Sequence, residues 1–157
     1  MTFETTALPR SAVMHIGQVR HRNGEHGPGY LHRGDQMDVG VLRLRPGDST
    51  VNHFHLRLDE IFLVLEGSAA MWLGTRQRVE IEVGESYFSP AGEYHYFRNE
   101  GTGLFRALFV KSPFDPSDTN EVPWSPEDGP LSEAQLQAHR SRVAWEREDP
   151  AADRAVS

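Results

Sequence analysis

From Met37 onward the chain is built of short apolar or alternating runs, each ended by turn residues. The runs are MDVGVLRLR (37–45), VNHFHL (51–56), EIFLVLEG (60–67), AAMWLG (69–74), RVEIEV (78–83), SYFSP (86–90), HYFRN (95–99) and LFRALFV (104–110). Pro46-Gly47-Asp48, Glu66-Gly67-Ser68, Gly74, Gly84, Pro90-Ala91-Gly92 and Gly101-Thr102-Gly103 separate them. Runs of this length, evenly spaced and punctuated by turn chemistry, predict an all-β sandwich or barrel. No helical crossover lies between them, which argues against a parallel α/β sheet.

The flanks read differently. Residues 1–36 are polar and rich in Gly, His and Arg, and Arg20 to Gly34 reads as loop, so the segment is expected to be an N-terminal arm. The barrel should then occupy 37–112. Five of the ten prolines fall between Ser112 and Pro130, which predicts an extended tail over 113–157. Within it Ser132 and Gln135 match a capping box, and Leu131 with Leu136 match a hydrophobic staple. These signals open a helix over about 132–148 that stops before Pro150. Its apolar face is thin, which predicts a surface position; the last residues, AADRAVS, should fray.

The chain of 157 residues is long enough for one domain with a real core. It has no cysteine, which excludes disulfides, thiolate ligands and a thiol nucleophile. The net charge of −7, with arginines interrupted by acids and histidines, argues against a nucleic-acid partner. No stretch is apolar enough to span a membrane, and Met1 to Arg10 lacks the pattern of a signal peptide. A cytoplasmic location is the expectation.

The candidate chemistry lies in four residues. His53 and His55 are two apart on a predicted strand, so both imidazoles leave the same face. A turn through 57–59 can bring Glu60 beside them, and His95 opens a strand that a barrel could fold against the first. Three imidazoles and a carboxylate suit Fe(II), Mn(II), Ni(II), Co(II), Cu(II) or Zn(II). An octahedral ion held by four such groups keeps two open positions.

The stretch from Gly47 to Gly67, GDSTVNHFHLRLDEIFLVLEG, resembles the first motif of the cupin superfamily. Five residues separate Gly47 from His53-Phe54-His55, four separate His55 from Glu60, and six separate Glu60 from Gly67. The stretch from Gly84 to Asn99, GESYFSPAGEYHYFRN, resembles the second motif through Gly84, Pro90, Gly92, His95 and Asn99. Two paired motifs are far more specific than one short pattern. The resemblance spans about residues 37–110 and implies a double-stranded β-helix, a jelly-roll-like barrel. It also implies that His53, His55, Glu60 and His95 hold one divalent metal.

Strand parity extends the site. Val51 should share the inward face with His53, Phe62 and Val64 that of Glu60, and Phe97 that of His95. Trp72, Tyr87 or Phe88 could add walls. Tyr94, Tyr96, Arg43, Arg57 and Arg106 read as outward side chains, and His15, His21, His26, His32 and His139 as solvated loop or tail histidines.

The expected function is that of a metal-dependent enzyme on a small-molecule substrate. A dioxygenase-type oxidoreductase with Fe(II) stands first, because two open positions and aromatic walls suit oxygen chemistry. The alternative is a non-redox isomerase, epimerase, cyclase or lyase, disfavoured by the lack of an inward lysine or second carboxylate. A non-catalytic binding module comes third. Residues 1–36 are long enough to cross to a second copy, which predicts a homodimer.

Overall fold

The computed structural model describes residues 13–113 and 115–148; the AADRAVS tail lies outside them. Ten strands carry the fold: β1 Gly27–Arg33, β2 Asp38–Leu44, β3 His53–Phe54, β4 Asp59–Glu66, β5 Ser68–Leu73, β6 Gln77–Glu82, β7 Ser86–Ser89, β8 His95–Arg98, β9 Phe105–Ser112 and β10 Asn120–Glu121. They form two antiparallel five-stranded sheets, ordered β1-β2-β9-β4-β7 and β10-β3-β8-β5-β6. This is the all-β double-stranded β-helix expected, and each of the eight apolar runs supplies a strand.

The core lies between the two sheets. β2, β4 and β9 contribute Leu42, Leu44, Phe62, Val64, Phe105, Ala107 and Phe109 from one side, and β5, β6 and β8 contribute Ala69, Met71, Ile81 and Phe97 from the other. Period-two alternation produces this arrangement. Along β4, residues 60, 62 and 64 are buried while 59, 61 and 63 are exposed. The chain turns from β4 into β5 at Gly67, which has φ +70° and meets the Leu104 carbonyl so closely that a side chain has no room.

The loop reading of Arg20 to Gly34 is corrected by β1, which pairs antiparallel with β2 over Gly27↔Arg43 to Arg33↔Asp38. Its glycines serve close packing rather than turns. A Cβ on Gly29 would lie 2.3 Å from Val19, and one on Gly40 would lie 2.3 Å from the Phe109 ring and 2.4 Å from the Gly29 carbonyl. Glycine here lets β1 and the chain before it lie flat on the sheet.

The tail covers the outer face of the second sheet. The helix α1, Glu133–Glu148, begins with reciprocal bonds between Ser132 and Gln135, as its capping box predicts. Its only buried residues are Leu136 and Val143, seven apart on one stripe. They pack on Phe54, Tyr94 and Val122, and the Tyr94 hydroxyl donates to the Leu136 carbonyl at 2.8 Å. A second patch joins Ala70, Trp72, Tyr96 and Trp124. Tyr94 and Tyr96 therefore point outward, as parity requires, but the tail buries them instead of leaving them solvated.

Candidate metal centre

The short strand β3 presents His53, and its register partner on β8 is His95. His55 follows β3, and Glu60 stands at the start of β4 after the turn through 56–58. One potential ligand atom from each of His53, His55, Glu60 and His95 falls within 4.8 Å of all the others. The ring centroids of His53 and His95 are 4.3 Å apart, those of His53 and His55 5.0 Å, and those of His55 and His95 5.6 Å. His55, Glu60 and His95 are buried, and His53 is half-buried on the cavity side.

Each imidazole is oriented through Nδ1. His53 Nδ1 donates to the Val51 carbonyl at 2.8 Å, His55 Nδ1 donates to the Asp118 carbonyl, and His95 Nδ1 lies 3.1 Å from the Ser89 hydroxyl. A carbonyl only accepts, so His53 and His55 carry hydrogen on Nδ1 and keep Nε2 for the centre. Outer contacts of this kind orient metal-bound histidines and fix their tautomer.

The donor set fits a cation. His55 Nε2 sits 2.8 Å from Glu60 Oε2, and His95 Nε2 lies 3.2 Å from the same oxygen. Lone pairs and a carboxylate crowded this closely repel unless a proton or metal ion lies between them. His95 Nε2 is moreover buried without a hydrogen-bond partner, the condition of a group that expects a further ligand. Burial and the neighbouring His95 push the His53 imidazole well below its ordinary value, which keeps it neutral and able to ligate. Burial alone would raise the Glu60 carboxyl. Its contacts with His55 and His95, with the charge of Lys111, outweigh that and hold it ionised well below the usual range. A neutral His53 and an ionised Glu60 are the protonation states a divalent metal needs.

The cluster opens on a cavity of about 250 Å³. Val51, Phe62 and Phe97 line it as parity predicts, joined by Tyr30, Leu42 and Phe109. Val64 does not: it faces inward but lies deeper, in the core cluster. Trp72 packs on the outer face against Tyr96, and Phe88 is 57% exposed on the outside, so neither is a wall. Tyr87 backs the site, its ring 6.2 Å from those of Phe62 and His95. Arg43 bonds the Glu25 carbonyl, Arg106 pairs with Glu66, and Arg57 is exposed, all away from the centre.

Three functional groups escape the motif reading. Lys111 and Glu121 line the cavity, against the expectation of no inward lysine or second carboxylate. Lys111 could have been found by extending the alternation Phe105-Ala107-Phe109 one step past Val110. Asp118, fully buried in the tail, accepts the backbone N–H groups of Leu56, Arg57 and Leu58 at 2.8, 2.7 and 3.2 Å. It thus clamps the turn between His55 and Glu60 with its carboxylate while its carbonyl orients His55. Nothing in its local sequence marks it.

Comparison with known proteins places this architecture. Residues 40–111 match the family model described as "Cupin domain". A stretch of 91 residues is 31% identical to the tetracenomycin polyketide synthase protein TcmJ of Streptomyces glaucescens, covering 54% of this chain and 60% of that protein. The chain thus spans less than two thirds of that relative. The fold is similar to a double-stranded β-helix protein from Klebsiella pneumoniae, with TM-score 0.63 and 22% identity over 71% of this chain and 99% of that one. It is also similar to the polyketide cyclase RemF of Streptomyces resistomycificus, with TM-score 0.60 and 24% identity over 75% and 91% of the two chains. That likeness reaches beyond the 72 residues of the family match, into the flanks.

Proposed function

Taking as premise that residues 40–111 are a cupin domain, we propose that this protein is a metal-dependent enzyme for non-redox chemistry on a small carbonyl compound: a cyclase, isomerase or lyase. One observation carries the reading. The cluster of His53, His55, Glu60 and His95 borders an aromatic cavity that also holds a lysine. A divalent metal bound by those four residues would supply Lewis acidity, polarising a carbonyl or enol oxygen. Tyr30, Phe62, Phe97 and Phe109 would hold a planar body and keep water from it. Lys111 would offer N–H donors to a second oxygen. The names of the relatives, a polyketide synthase protein and a polyketide cyclase, support a substrate with several carbonyl groups.

The oxidoreductase reading keeps one support, since four protein ligands leave two positions on an octahedral ion for substrate and oxygen. A single assay separates the two. Aromatic and linear poly-β-carbonyl compounds are incubated with protein loaded with zinc, manganese or iron, with and without oxygen, and the products are weighed by mass spectrometry. The expected products keep the substrate's mass or lose water, and form equally without oxygen. Products that gain oxygen atoms, formed only with iron in air, would overturn the non-redox reading.

A further inference from the structure

Lys111 is the only lysine in the chain; the other fifteen of its sixteen basic residues are arginines. It stands in a row that crosses the whole first sheet. Arg33 on β1 is the register partner of Asp38 on β2, Asp38 of Lys111 on β9, Lys111 of Glu60 on β4, and Glu60 of Ser89 on β7. Direct cross-strand partners share a face, so the row runs cation, anion, cation, anion, hydroxyl along the inner side of the sheet and ends at the metal cluster.

The charge of Lys111 acts on both Asp38 and Glu60 in this row, but its N–H donors are not spent on either. Arg33 lies 3.9 Å from Asp38, whereas the Lys111 ammonium makes no ion pair or hydrogen bond with any of the described residues. It lies instead over the faces of Phe109 and Tyr30, 5.3 and 5.8 Å from their ring centroids. Two aromatic faces attract and steer a cation without consuming its N–H donors. All three donors are left for whatever enters the cavity that Lys111, Tyr30 and Phe109 line together.

We propose that this cavity binds molecules with a planar apolar body and an anionic oxygen at one end, such as a carboxylate, and that Lys111 is the residue that selects them. The body lies among Phe62, Phe97 and Phe109, and the oxygen accepts from the Lys111 ammonium. This deepens the enzymatic reading by giving its substrate class. The binding itself requires neither metal nor turnover, so it can stand or fall alone.

The test uses 2-naphthoate and its neutral counterpart 2-naphthamide, titrated into metal-free protein by calorimetry. A charge-assisted hydrogen bond predicts about a tenfold preference for the acid. Lys111→Met should abolish that preference by weakening naphthoate binding about tenfold more than naphthamide binding, and Lys111→Arg should keep part of it. A spectroscopic reading on the unaltered sequence covers the case of a misfolded variant. Reductive methylation with isotope-labelled formaldehyde preserves the charge and gives a single side-chain signal, because there is one lysine. That signal should shift with naphthoate and not with naphthamide. Equal binding of the two ligands, no binding of either, or a preference that survives Lys111→Met would each overturn the proposal. Acid-selective binding without any turnover would retain Lys111's role and remove the enzymatic reading.

Discussion

The cavity has two walls with different origins. One is the cluster of His53, His55, Glu60 and His95, supplied by the two motif segments and meeting the cavity through His53 and Glu60. The other is the group of Tyr30, Phe109, Lys111 and Glu121, supplied by strands outside those segments. The proposed chelation would constrain the first wall tightly. Four donors must converge within one ion's coordination distance, and period-two strands with a fixed turn achieve that in few ways. The second wall needs only to enclose a molecule, so its residues are free to differ among proteins with the same centre. A shared centre therefore says little about the substrate, and the opposite wall says more.

The largest effect expected comes from breaking the motif wall. In the double variant His53→Ala, His95→Ala the bound metal should fall from about one equivalent to none in elemental analysis, and turnover should vanish with it. Chelation of the unaltered protein should lower its melting temperature, since a ligand held at a hundred times its Kd stabilises the fold by about 2.7 kcal/mol. A double variant that still bound one equivalent would move the metal site elsewhere.

Asp118 sharpens the comparison because it belongs to the tail yet holds the motif wall. Asp118→Ala leaves three backbone N–H groups without their acceptor and removes one of the three acceptors of Arg147. Leaving buried partners unpaired should cost about 3–5 kcal/mol in urea unfolding. Loosening the turn and the carbonyl that orients His55 should also weaken metal binding about 10- to 100-fold. A stability loss with unchanged metal affinity would reduce the tail to a structural cover.

These cases also mark what could be read from the sequence alone. The convergence of His53, His55, Glu60 and His95 was readable because spacing along a strand translates directly into a shared face. Phe62 and Phe97 followed from the same parity. Parity gives the face but not the depth, which is why Val64 belongs to the core and not the cavity. It also says nothing of later coverage, so Tyr94 and Tyr96 point outward yet lie under α1 and the preceding tail. Arg20 to Gly34 misled because glycine marks both turns and close approach, and only the packing of Gly29 on Val19 and Gly40 on Phe109 distinguishes them. Asp118 was out of reach: its partners lie 60 to 62 residues earlier in the chain.

The smallest effect expected is a pH dependence confined to the motif wall. In the metal-free protein, burial and His95 keep the His53 imidazole well below its ordinary 6.5. The unfolded chain takes up that proton near 6.5, while the folded chain does so only at much lower pH. Between those points the unfolded state binds more protons, so stability is complete above about pH 7 and declines as pH falls through the unfolded value. Glu60, held below its ordinary 4.5, adds a decline of the same sign at lower pH. Urea unfolding of His53→Asn between about pH 7 and 5 should show a shallower slope than the unaltered protein, by at most one proton. Bound metal should steepen the decline in the unaltered protein, because protons then compete with the ion for the same nitrogens. Parallel slopes in the two metal-free proteins would assign the dependence to other groups, and His21, whose imidazole is also held below its ordinary value by burial, would be the next place to look.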